Sequence, residues 1–356
     1  MLSPAHLRAN LLVRLGELTG KTHALPLVLF APTARCNSRC VSCDWWRADG
    51  AGDLSLAEIA TLATDLQRAG TRVVVLTGGE PLVRPDVMAV ADLFRAKGMA
   101  LQLLTSGLAL GRFADDIAAR FQTVTVSLDG HTDDLYREIR GVDGLRAVVE
   151  GVGKLRARAP HVRVAARSTI HRHNFRVLPK LIAKSREMGL DQISFLAADV
   201  DVASDAFNRR ASLAQVADGG GAPAAKLLLN ENEVDEFEAV VEATIRTHAR
   251  DFQEDRVAPG PDGLRRLVST YRAHLGQGTF QSPSCNAPWA SVFIEVDGGV
   301  RPCFFHSAVG NLRERRLADL LSEAMPDFRD GLNVATDPTC KRCVCSLRVG
   351  LRTKLW

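Results

Sequence analysis

From Leu25 to Leu196 the chain alternates short β-rich runs with amphipathic helical stretches, and this alternation leaves few folds open. Strands are expected at Leu27–Ala31, Val73–Thr77, Leu101–Thr105, Thr123–Leu128, Val162–Ile170 and Ile193–Leu196. Between them the helical period predicts helices over Ser55–Ala69, Asp86–Ala96, Gly111–Arg120, Leu145–Ala159 and Asn174–Met188, the first opened by a capping box of Ser55 and Glu58. Such βα units in succession imply a parallel sheet with helices outside. An open doubly wound sheet and a partial barrel both satisfy that order, and periodicity does not choose between them.

Parallel α/β sheets build their sites at the carboxyl ends of strands, and the polar motifs of this chain fall there. The first strand runs into a loop holding Cys36, Cys40 and Cys43 in C-x3-C-x2-C spacing. One loop can wrap three corners of a cubane iron-sulfur cluster with these thiolates, and no further cysteine follows until Cys285, so one iron is open to a substrate. A structural zinc site wants a fourth ligand nearby, and only Asp44 is adjacent; disulfides in loops this short are strained. The second strand leads into Thr77-Gly78-Gly79-Glu80-Pro81, whose glycines admit close approach by a ligand and whose carboxylate can hold an ammonium group. A plain tight turn accounts for the same residues. The fourth strand runs into Ser127 and Asp129, short oxygen side chains suited to ribose hydroxyls or to a turn.

Residues 1–24 read as a lead-in helix with Leu7, Leu11, Leu12, Leu15 and Leu18 at helical spacing. Residues 197–284 form a bridge. It has a flexible Ala217–Ala225 connection and two helical stripes, Val234, Phe237, Val241 and Ile245 after an Asn230/Glu233 start signal, then Leu264, Leu267, Val268, Tyr271 and Leu275. The bridge is expected to cover one side of the barrel mouth. Residues 285–356 hold Cys285, Cys303, Cys340, Cys343 and Cys345, with a hairpin turning at Asp297-Gly298-Gly299 that brings Cys303 back towards Cys285. Taken alone, these thiols with their C-x2-C pair suit a zinc knuckle slightly better than a cluster.

Residues 25–196 resemble the (β/α)6 partial barrel of the radical S-adenosylmethionine (radical SAM) superfamily, with Cys36, Cys40 and Cys43 matching its cluster ligands. That resemblance implies that Gly78, Gly79 and Glu80 contact the amino group of S-adenosylmethionine and that Ser127 and Asp129 contact its ribose. The residue before the third cysteine, commonly aromatic in the family, is here Ser42, and Trp45 or Trp46 stands in to cover the adenine. Cys285, Gly298 and Cys303, the run from Gly310 and the terminal C-x2-C resemble SPASM/twitch extensions, which implies an auxiliary [4Fe-4S] cluster. The spacing Cys343-x-Cys345 departs from the usual pattern and leaves the fourth ligand open between those two.

The function implied is that of a radical SAM oxidoreductase that forms a 5′-deoxyadenosyl radical, abstracts a substrate hydrogen, and oxidises or cross-links the substrate with help from the auxiliary cluster. An electron donor such as flavodoxin or ferredoxin is implied as a partner. A small-molecule substrate is favoured over a peptide, since residues 1–24 leave no room for a peptide-recognition domain. Arg140, Arg167 and Asp297 lie near strand ends or turns, but no residue is assigned as catalytic acid or base. A zinc-binding scaffold without catalysis is the alternative from another class. With 45 basic residues interspersed among 41 acidic ones, nothing points to nucleic acid or a membrane surface. No apolar run approaches the roughly 20 residues that span a bilayer, so the cytoplasm, where thiols stay reduced, is the expected compartment.

Overall fold

The computed structural model describes residues 3–200 and 226–355. After helix α1 (Pro4–Thr19), strands β1 (Leu27–Phe30), β2 (Val73–Leu76), β3 (Ala100–Thr105), β4 (Thr123–Ser127), β5 (Arg163–Ile170) and β6 (Gln192–Ala197) lie side by side in sequence order, all parallel. That order decides between the two expected folds. Crossovers in parallel sheets are right-handed, so an order without reversal puts every helix on one face and curls the sheet into a partial barrel.

The outer layer comprises α2 (Leu56–Arg68), α3 (Val87–Ala96), α4 (Ala114–Arg120), α5 (Asp133–Arg140), α6 (Leu145–Arg158) and α7 (Leu178–Glu187). Alternate strand residues such as Val28, Phe30, Val74, Leu103, Val126, Ala166 and Phe195 join the helices in one large core. The intervening residues, among them Leu27, Val73 and Val75, line the concave face, where Leu347 and Leu355 from the tail pack on them. Helix α5 is not among the expected elements. It is short and charged, with only Tyr136 and Ile139 buried, and its signals are Thr132 at its N-cap and the left-handed Gly141 at its end.

The bridge contains α8 (Glu231–Thr247), α9 (Ala249–Gln253), the two-residue strand β7 (Val257–Ala258) and α10 (Pro261–His274). The Asn230/Glu233 capping box is formed as expected. Both long helices pack outward rather than over the barrel mouth: Val234, Phe237, Val241, Leu264 and Tyr271 belong to the outer core, and Tyr271 Oη donates to Ile170 O at 2.5 Å. These two helices therefore do not cover the mouth, because their apolar stripes answer the outward faces of β5 and β6, while Leu227 at the start of the described part of the bridge packs beside Val41 of the cysteine loop. The Ala217–Ala225 connection lies outside the described residues.

The last segment contributes α11 (Ala287–Ala290), β8 (Ser291–Ile294), β9 (Gly299–Arg301), β10 (Gly310–Asn311), α12 (Leu317–Asp319), α13 (Met325–Asp330) and α14 (Pro338–Arg342). β8 and β9 form the expected hairpin, with Gly298 at φ 89° in its turn. β8 also pairs in parallel with β1, so the extension continues the barrel sheet into ten strands.

The lead-in helix forms, but its orientation reverses the simple reading. Leu7, Leu11, Leu15 and Leu18 are exposed, while His6, Ala9, Asn10, Val13 and Gly16 are buried. The tail selects that face: Asn10 Nδ2 donates to Leu351 O at 3.1 Å and Thr353 O at 2.8 Å. Small side chains at Ala9 and Gly16 let the helix approach closely, and Gly16 sits against Trp289. No helix among the described residues is long and apolar enough to cross a membrane.

Candidate active site and metal centres

The loop after β1 brings Cys36, Cys40 and Cys43 together. Burial pushes the Cys36 thiol up to about 11 and raises Cys40 and Cys43 as well, with the charge of Cys40 acting on both neighbours. One cation, Arg140, opposes the rise at all three. Its Nη1 donates to Asp129 Oδ2 at 3.0 Å, and Asp129 Oδ1 accepts from Thr169 N at 2.8 Å. Both oxygens of Asp129 thus serve the frame around the cysteines. The loop itself docks on the end of α5, with Arg39 N donating to Arg140 O and Val41 N to Ile139 O. A side chain at Gly141 would sit 2.5 Å from Arg39 O, so only glycine permits that docking.

The loop after β2 lies back to back with the cysteine loop. Gly79 N donates to Thr33 O at 3.1 Å and Glu80 N to Arg35 O at 2.8 Å. A Cβ on Gly79 would come within 2.2 Å of Arg35 O, and Gly78 adopts φ 99° against Ala31. These glycines are required first by the approach of two backbones. Glu80 is buried: Oε1 accepts from Leu82 N and Thr105 Oγ1, and Oε2 accepts from Ser106 N at 2.6 Å. Ser106 Oγ in turn donates to Asn37 Oδ1 at 3.2 Å, tying the end of β3 to the cysteine loop. Ser127 Oγ reaches Thr105 O at 3.4 Å on the concave side of β4. Trp45 is buried among Ala31, Ala34 and Phe293, whereas Trp46 is half-buried under the Arg47 guanidinium, 4.4 Å from its ring centroid. Of the two, Trp46 is the one left to cover a ligand.

The other five cysteines also converge. Cys285 acts electrostatically on Cys303, Cys340, Cys343 and Cys345. Burial raises Cys303 to about 11 and Cys340 to about 12, and raises Cys343 and Cys345 as well. Cys345 stands apart in what surrounds it: Arg167 in the middle of β5 and Asp199 just after β6 act on it more strongly than any cysteine does.

A family model of the Radical SAM superfamily matches residues 30–182, and one of an iron-sulfur cluster-binding domain, SPASM, matches residues 285–344. The chain belongs to the radical SAM superfamily. It is 26% identical to the Fe-coproporphyrin III synthase of Methanosarcina barkeri over 89% of this chain and 80% of that one. Identity is 37% to a probable GTP 3′,8-cyclase of Thermococcus kodakarensis over 34% of this chain and 40% of the relative, and 33% to the pre-heme d1 synthase of Dinoroseobacter shibae over 47% and 42%. The chain thus spans less than half the length of those two relatives. Its fold resembles that of Streptococcus suis SuiB solved with S-adenosylmethionine, at TM-score 0.62 and 14% identity over 92% of this chain and 73% of that one.

As a radical SAM enzyme it uses S-adenosylmethionine and a [4Fe-4S] cluster, and its SPASM domain binds auxiliary iron-sulfur clusters. The expectation of a scaffold without catalysis is overturned by that membership. The residues around the triplet fit a cluster. Three half-buried thiols lie in mutual electrostatic range, and the buried Nε of Arg140 has no partner among the described residues, placed to answer the negative charge of cluster-bound sulfur. The SPASM thiols fit too, and His306 adds a group that cysteine spacing does not reveal. Its Nε2 lies 3.4 Å from Cys340 Sγ, and with Asp337 these three place their donor atoms within 4.8 Å of one another. Cys303-x2-His306 is the sequence signal for it. Arg140 is legible in the sequence only as a residue near a strand end or turn, not as the cation of the triplet, and the Thr105-Ser106 pair escapes sequence reading despite ending the third strand.

Proposed function

We propose that this radical SAM enzyme is a cytoplasmic oxidoreductase that removes a hydrogen atom from a small molecule inside the partial barrel. The observation that carries the reading is that all eight cysteines gather into two groups, three around Arg140 at the carboxyl edge of the sheet and five linked through Cys285, of which Cys345 also meets Arg167. When bound, the two clusters supply the redox chemistry: one-electron cleavage of S-adenosylmethionine to methionine and a 5′-deoxyadenosyl radical, and uptake of the electron left on the substrate.

The chain's own residues hold and orient. Cys36, Cys40 and Cys43 hold one cluster, and Asp129 fixes Arg140 beside them. The Gly78-Gly79-Glu80 turn receives the methionine amino group, while Ser127 faces the ribose. Cys285, Cys303, Cys340, Cys343 and Cys345 supply the second site, where His306 orients Cys340 as an outer-shell group. A flavodoxin- or ferredoxin-type protein donates the electron. Relatives named for small molecules support a small-molecule substrate.

Changing Cys36, Cys40 and Cys43 together to Ala removes one cluster's worth of iron from the anaerobically reconstituted protein and abolishes 5′-deoxyadenosine formation. Iron content equal to that of the unaltered protein would refute the assignment. Glu80→Gln weakens S-adenosylmethionine binding by on the order of ten-fold or more, as expected for a lost charge-assisted hydrogen bond. It also lowers the thermal midpoint, because an amide NH2 facing Ser106 N or Leu82 N replaces an acceptor by a donor. Calorimetric titration and a melting curve on the same samples check both effects.

A further inference from the structure

Arg167 is an arginine of the concave face with no ion-pair partner among the described residues. On the outside of the barrel Arg120, Arg137, Arg172, Arg176, Arg265 and Arg272 all engage carboxylates. Arg167 lies on β5, opposite Ser127 of β4 on one side and Ser194 of β6 on the other. Strand alternation turns it to the concave face, since its neighbours Ala166 and Ser168 are buried on the helix side. Its side chain is exposed there, and its one hydrogen bond runs from Nε to Ser194 Oγ at 3.3 Å. No Asp or Glu of the described residues forms an ion pair with it, so both terminal nitrogens of the fork are open to the chamber.

The surroundings say which ligand that fork meets. Arg167 acts on the SPASM cysteine Cys345, whereas the cation felt by Cys36, Cys40 and Cys43 is Arg140. Arg167 therefore belongs to the part of the chamber between the two cysteine groups, where a substrate sits, rather than to the Cys36 loop that receives the methionine end of the cofactor. A guanidinium with no carboxylate in ion-pair contact among the described residues is a receptor for an oxyanion, with planar geometry suited to two parallel hydrogen bonds.

We propose that Arg167 is the anion anchor of the substrate pocket, and that the substrate carries a carboxylate or phosphate group held by its guanidinium. This names the substrate class within the function proposed above and rests on the barrel being the reaction chamber. Arg167 is a specificity-determining residue in this role, and the hydrogen to be removed lies elsewhere on the substrate.

The test uses the full, reconstituted chain and its Arg167→Gln and Arg167→Lys variants, with citrate and pyrophosphate as probes at low salt and S-adenosylmethionine as a separate titrant. Citrate, pyrophosphate or both bind the unaltered protein and bind Arg167→Gln at least ten-fold more weakly, while S-adenosylmethionine affinity and the melting temperature stay the same. Arg167→Lys separates the sources: it keeps pyrophosphate, which a point charge can hold, and loses citrate, which needs the fork. Equal probe binding in the unaltered and Gln proteins overturns the proposal, as does absence of probe binding to both. A loss confined to S-adenosylmethionine overturns it too, by assigning the fork to the cofactor's own carboxylate. Anion binding needs no cluster chemistry, so a protein that binds the probes but never forms 5′-deoxyadenosine would count against the proposed function and leave the anchor standing.

Discussion

Replacing Arg140 by Met destabilises the fold by about 3–5 kcal/mol, because the change strands the carboxylate of Asp129 in a buried setting. The same substitution loosens the cysteine loop. Arg39 and Val41 bond to the backbone at the end of α5, and the Arg140 side chain is what fixes that end against β4 and β5. Lower iron retention at the first site therefore accompanies the lower melting temperature. Pairing the change with Asp129→Leu recovers part of the stability, since removing both charges removes the stranded one. Chemical denaturation of the two variants checks the energies, and a stability of Arg140→Met equal to that of the unaltered protein would show that the ion pair is idle.

Replacing Cys285 and Cys303 by Ala uncouples the two halves of the reaction. Reductive cleavage of S-adenosylmethionine persists, because its groups surround the Cys36 loop, while substrate turnover falls to background for want of the second metal site. Cys340→Ala and Cys343→Ala behave in the same way. Cys345→Ser is milder, since its thiol is the one turned towards Arg167 and Asp199. 5′-Deoxyadenosine is measured for each variant without substrate and then with it. Loss of uncoupled cleavage in the Cys285/Cys303 variant, with its first cluster spectroscopically intact, would overturn this division of labour.

What could be read from the chain alone depended on how local the cause was. The strands and most helices follow from hydrophobic period, and the Cys36 triplet from its spacing, because each is decided within a dozen residues. Helix α5 was missed because its sequence, DDLYREIR, has almost no apolar face, so Arg140 was legible near a strand end or turn but not as the cation of the first site. The leucines of α1 gave the helix but not its orientation, which is chosen by carbonyls more than three hundred residues away. The glycines before Glu80 were legible as a place of close approach, but the approaching partner proved to be the cysteine loop. The meeting of Cys345 with Arg167 joins residues from the barrel and the tail, and no local pattern encodes it.

The floor of the barrel has a consequence for how the protein is made. Neighbouring βα units contact one another in sequence order and can pair as they leave the ribosome, whereas Asn10 waits for Leu351 and Thr353, and Gln102 for Leu355. Closing such a long loop costs little more than closing a moderate one, because the entropy grows only with the logarithm of length, so the delay is one of timing rather than of equilibrium. Until synthesis passes residue 355, the walls of the chamber stand without their base.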